Sequence, residues 1–110
     1  MPLLRGWLIA FAITVLSELV IAVPLLGTST RARRVAAVCF AQLATHPSVW
    51  FIWPLLGLSR PLFLLWAEGF AFVVEALIYR LCFERLRWSR CFATSALANA
   101  ASLFIGLWLR

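Results

Sequence analysis

Glu18, His46, Glu68, Glu75 and Asn99 lie inside stretches that are otherwise apolar enough to cross a lipid bilayer, where ionisable groups cost most. A charged side chain at the bilayer centre is penalised by at least about 2.5 kcal/mol on insertion scales, so such groups face a bundle interior, a partner or a water-filled cavity. If the three acids share a cavity they cannot all stay ionised without a cation, and the chemistry they then offer is proton exchange or cation binding. Carboxylate oxygen and imidazole nitrogen also suit Zn, Mn or Fe, which makes Glu18, His46 and Glu75 a candidate divalent-metal set.

Depth and helix face decide which of these residues can meet. Glu18, His46 and Asn99 fall near the middle of their spans, Glu75 lies toward the basic end, and Glu68 lies toward the opposite end as an outer access group. Glu68 and Glu75 are seven residues apart, which puts them on one helix face with roughly 10 Å of rise between them; Tyr79 continues the stripe. Ser95, Asn99, Ser102 and Gly106 recur at helical spacing, bordered by Ala98 and Ala101. That seam reads first as close helix packing, with Asn99 orienting Glu75 or His46. Gln42 and Thr45 beside His46, and Ser17 beside Glu18, read as supporting groups that satisfy themselves in helix contacts. Pro47 cannot donate to the carbonyl of Leu43, so a kink is expected next to His46, and a freed backbone oxygen there would help to widen a cavity.

The elements that must position these residues follow from composition. Of 110 residues, 65% are hydrophobic and only 13% charged, which is far from the balance of a soluble domain. The fold class expected is an all-α integral membrane protein, a single domain over 1–110 with spans at about 7–26, 35–57, 61–79 and 91–109. Short connections favour an up-down-up-down four-helix bundle. A closed β-barrel would need more, shorter segments with dyad alternation, and that pattern is missing. The first apolar run continues to Leu26 without a small-residue cleavage site, so it reads as a retained span and not as a secretory signal. The odd cysteine count, Cys39, Cys82 and Cys91, and the lack of any CxxC spacing argue against a disulfide framework or a thiolate metal site. Cys39 reads as a small core residue.

All ten basic residues are arginine and the net charge is +6, yet the arginines sit mostly in short connections, so no nucleic-acid interface is expected. Arg31, Arg33 and Arg34 in loop 27–34 and Arg80, Arg85, Arg87 and Arg90 in loop 80–90 outnumber Arg60 in the middle connection and Arg5 and Arg110 at the termini. The positive-inside rule places both basic loops in the cytoplasm and both termini on the non-cytoplasmic side, as in a bacterial inner membrane. Trp7, Trp53 and Trp108 then anchor the outer interface, and Tyr79 and Trp88 the inner one. Arg80, about a turn from Glu75, is in reach of it. The basic loops also suit anionic headgroups, although topology alone explains them.

Three functions fit these residues. The first is a proton-coupled transporter for a cation, a metal or a cationic compound, acting as a homo-oligomer because four helices enclose only a narrow interior. The second is an intramembrane metal- or glutamate-dependent enzyme, although HExxH and GxSxG are absent and Cys39 stands about 10 Å of helix rise from His46, too far for direct proton transfer. The third is a membrane subunit or assembly partner whose polar groups contact other helices, with haem shared between two histidines of a dimer as a minor variant. In length and span number the chain is similar to small multidrug resistance transporters, which also place a glutamate in the first span. The similarity is one of plan, since their wider motif pattern is absent and the acids of the third span depart from it.

Overall fold

In hydrocarbon every backbone N–H and C=O must be satisfied within the chain, and helices do this segment by segment. The computed structural model, which describes residues 2–27 and 29–108, has four long helices: α1 (Pro2–Leu25), α2 (Arg31–Phe51), α3 (Arg60–Cys82) and α4 (Trp88–Trp108). A single 3₁₀ turn, Trp53–Leu56, follows α2. Thr28 of the first connection, Leu109 at the end of the fourth span and Arg110 of the arginine count lie outside the described residues, as does Met1. All four helices are long and apolar enough to span a membrane, with mean hydropathy from 1.4 to 2.4 over their most apolar windows, and they fit a small membrane protein.

The element boundaries differ from the apolar pattern where capping decides them. The Thr30 hydroxyl accepts from the Arg33 N–H at 3.2 Å, so α2 starts at Arg31 and carries the arginine cluster on its first turn. At the other end of α2 the helix runs through Pro47 to Phe51, and the break falls five residues later than the proline. The Trp53–Leu56 turn closes on Gly57, whose φ of 66° lies in the left-handed region. Replacing Gly57 by alanine is expected to cost about 1 kcal/mol in that conformation, read as a lower midpoint of thermal unfolding in detergent; an unchanged midpoint would mean that the turn relaxes freely.

The helices form a closed ring in which α1 packs on α2 and α4, and α3 packs on the same two. The body is 39 Å long and 24 by 22 Å across, longer than the roughly 30 Å of a hydrocarbon core. Large apolar side chains such as Leu16, Val20, Phe40, Leu65 and Phe104 point outward, while Glu18, Gln42, Thr45, Glu75, Thr94 and Ser95 are buried. That distribution suits a lipid solvent, where interior packing relies on small residues and hydrogen bonds. At the basic end the ring is filled by Leu26, Val38, Tyr79, Phe83, Leu86 and Cys91. Tyr79 is fully buried in this plug, so it is not the interfacial anchor expected of it; it lies one turn past Glu75 on the same inward face. Trp88 and Trp108 are exposed, as anchors would be. Cys91, and not the half-buried Cys39, belongs to the core, and all three cysteines are free.

The C-terminal end of α1 is held by its neighbours. Arg34 of α2 donates to the Val23 carbonyl at 2.7 Å, and Arg90 of α4 donates to the Leu25 carbonyl at 2.8 Å. These guanidinium groups satisfy carbonyls that a helix end leaves open, and they sit at the negative end of the helix dipole.

Candidate functional site

Gln42 is the hub of the buried polar residues. Its side-chain amide donates to Glu18 Oε1 at 3.0 Å and to Glu75 Oε1 at 3.1 Å, joining α1 and α3 across the ring from α2. Around Glu75 the set is completed by Asn99, whose amide donates to Oε1 at 3.2 Å, and by the Thr45 hydroxyl, 3.1 Å from Oε2. Glu18 is less well supplied: it is fully buried, and its Oε2 has no hydrogen-bond partner among the described residues. Among the described residues no arginine bonds either carboxyl group.

The hydroxyl of Thr45 also lies 3.0 Å from the Ala41 carbonyl. A threonine hydroxyl has one proton to donate and lone pairs to accept with. Either the one proton is shared between the two acceptors in a three-centre bond, or it goes to Ala41 while a protonated Glu75 donates to Thr45. The geometry around this residue therefore accommodates a neutral carboxylic acid.

Glu75, Gln42, Thr45 and Asn99 form the floor of a cleft of about 530 Å³, within the size range of small-molecule sites. Glu68 and His46 line its walls, and Trp50, Pro54 and Arg60 line it at the end nearest the middle connection. Glu18 is behind the floor and does not line it.

His46 is held by Trp7, a contact the sequence did not suggest, because a tryptophan near a span end reads first as an interfacial anchor. The Trp7 indole N–H donates to His46 Nδ1 at 3.0 Å, and Phe11 and Trp50 flank the imidazole at ring-centroid distances of 5.3 and 6.3 Å. Indole is a donor only, so Nδ1 is the acceptor nitrogen and the ring's proton is on Nε2. Its one acceptor nitrogen is thus already engaged. Correspondingly, the metal set expected of Glu18, His46 and Glu75 is not assembled: among the described residues no group of three or more His, Cys, Asp or Glu side chains is placed to hold a metal ion.

The remaining expectations divide. Ser17 bonds to the Ile13 and Thr14 carbonyls of its own helix and supports nothing else. Ser95 donates to the Phe72 carbonyl across the α3–α4 contact and also accepts from Asn99, which is the packing seam expected there. Ser102 turns back onto the Asn99 carbonyl. Gly106, read as part of the same seam, lines the cleft instead, and a methyl group added there would meet nothing within 4 Å. Arg80 does not reach back to Glu75; its guanidinium lies over the Trp88 ring, 5.4 Å from the centroid.

No protein-family model, curated protein or solved structure matches this chain, so its own geometry carries the functional argument.

Proposed function

We propose that this chain is a proton-coupled transporter for small cations with an apolar body, in which Glu18, Gln42 and Glu75 form the coupling site and the cleft above them receives the cation. The observation that carries this reading is the Gln42 amide bridging two buried carboxyl groups that have no basic partner among the described residues. Burying an unpaired carboxylate is expensive, so the pair needs a proton or a cation to balance it. Proton loss toward a cation in the cleft, and proton return on its release, is the exchange such a pair can run. A largely apolar cleft with Glu68 and Glu75 as the acids in its lining, and no cluster of three metal ligands among the described residues, favour an organic cation over a bare metal ion.

The same reading takes the bundle as up-down-up-down. Trp7 meets His46, Glu18 meets Gln42 and Val23 meets Arg34, an order that runs in opposite directions along α1 and α2 and supports it. The arginine distribution supports a cytoplasmic position for the basic loops and an outward one for the termini and the cleft mouth. Because the plug at Leu26, Tyr79, Phe83 and Leu86 closes the ring below the site, passage through the membrane requires rearrangement or a second copy, and a homo-oligomer is part of the proposal.

Reconstituted liposomes with an imposed pH gradient and a trapped pH dye test this. Adding a quaternary ammonium dye or ethidium is expected to drive proton movement with the wild-type protein. Glu18→Gln should reduce it to the level of empty liposomes while the protein stays folded, because one oxygen of Glu18 takes the Gln42 bond and the other has no partner to lose. Coupled flux at the wild-type rate in Glu18→Gln would remove that residue from the mechanism, and no flux with any cation in the wild type would remove transport.

A further inference from the structure

We propose that a second cleft, at the basic end of the bundle, binds the phosphate of an anionic phospholipid, with Arg33 and Arg85 as its partners and Leu81 alongside the acyl chain. The inference does not rest on the transport reading, since this cleft is separated from the carboxyl pair by the apolar plug.

The cleft has a volume of about 480 Å³ and lies between the start of α2 and the turn from α3 to α4, lined by Ser29, Arg33, Leu81, Glu84 and Arg85 among others. The arginines at this end divide into two kinds. Arg34 and Arg90 are fixed on carbonyl groups of α1, and Arg80 rests on Trp88. Arg33 and Arg85 are exposed, and their guanidinium groups make no hydrogen bond or ion pair among the described residues. Two unpaired guanidinium groups on facing walls of one cleft are a donor set for phosphate, which they bind through parallel N–H···O contacts. Glu84 is the one acid in the lining; it pairs with neither arginine, and Arg31 and Arg87, exposed on the adjoining turns, keep the local balance positive.

What assigns the ligand to the membrane is the apolar wall. Leu81 lines the cleft and is 79% exposed, and Trp88, 49% exposed, opens the next helix at the same end. Exposed apolar side chains directly beside unpaired arginines mark the level at which headgroups meet acyl chains, and basic pockets at that level bind anionic headgroups. A free anion would use the arginines alone, whereas a phospholipid uses both walls.

Native mass spectrometry of the whole chain in a neutral detergent, titrated with dioctanoyl phosphatidylglycerol, dioctanoyl phosphatidylcholine and inorganic phosphate, tests the assignment. Each surface arginine is worth on the order of 1 kcal/mol toward anionic lipid, so the Arg33→Gln/Arg85→Gln double variant is expected to bind phosphatidylglycerol about thirtyfold more weakly. The Arg31→Gln/Arg87→Gln variant, altered outside the cleft where solvent and salt screen the charges from the bound phosphate, should lose much less, about threefold or under. Phosphatidylcholine should bind more weakly than phosphatidylglycerol, and inorganic phosphate should not displace the lipid at matched concentration. Equal loss in both double variants would reduce the site to a diffuse positive field and overturn the proposal. Displacement by phosphate alone, or equal retention of phosphatidylcholine, would do the same. Should the cleft variant melt early, Arg85→Gln alone, in the exposed turn, carries the comparison and is expected to weaken binding by at least threefold.

Discussion

Replacing Gln42 by methionine is expected to lower the stability of the purified protein by about 3 kcal/mol, because a buried acceptor left without a donor costs about 1–3 kcal/mol and the change removes the amide donor from both Glu18 and Glu75. Methionine keeps the length and apolar bulk of the side chain and removes only the amide, so packing changes little. Unfolding of the protein in mixed detergent micelles, followed by tryptophan fluorescence or circular dichroism, measures the difference. The Gln42→Met protein should also lose coupled cation flux, since the two carboxyl groups no longer share a donor. A stability change below about 0.5 kcal/mol, no larger than an average hydrogen bond between membrane helices, would mean that the amide is not what joins α1 and α3.

Glu75 gives the second large effect, through a contrast between two substitutions. Glu75→Met removes the acceptor for Gln42, Asn99 and Thr45, and is expected to cost about 2 kcal/mol, given that each interhelical bond in a membrane contributes roughly 0.6 kcal/mol or more. Glu75→Gln should stay within about 0.5 kcal/mol of the wild type. Its oxygen can replace Oε1 beneath Gln42 and Asn99, while its NH₂ donates to the Thr45 hydroxyl, which in turn donates to the Ala41 carbonyl. That pattern is the one a protonated glutamate makes. Both variants should abolish coupled flux, so the pair separates the structural part of Glu75 from its proton. Equal destabilisation by the two would show that the site holds Glu75 as an anion, and the neutral-acid arrangement at Thr45 would then be wrong.

The spans were legible because a bilayer imposes a length, and runs such as 35–57 or 61–79 meet it whatever their rotation. Legible too was the depth of Glu18 and Asn99 near the middle of their spans, since depth along each helix follows from residue counting, but not whether the acids would converge. Rotation was not, and the corrections to the side-chain contacts have that origin. Gln42 ranked as a supporting amide because nothing in its neighbours' spacing says that its face points to two acids at once. Trp7 and Tyr79 read as interfacial anchors on residue type, yet one turned inward to His46 and the other into the plug. Arg80 had Glu75 within reach along the helix, but α4 returned Trp88 to its side of the bundle and the exposed indole face took the guanidinium. The 3₁₀ turn at Trp53–Leu56 was hidden because its residues are as apolar as the helix before it; only Gly57 marked the end of the span.

The two arginine ties on α1 give the bundle a fixed end and a free end. Arg34 and Arg90 stitch the last carbonyls of α1 to two different helices, so at the basic end side-chain bonds link three of the four helices. At the other end the side-chain tie between α1 and its neighbours is the bond from Trp7 to His46, beside the mouth of the cleft. Two guanidinium staples at one end against a single neutral indole bond at the other make the α1 contacts lopsided, with the heavier stitching far from the cleft.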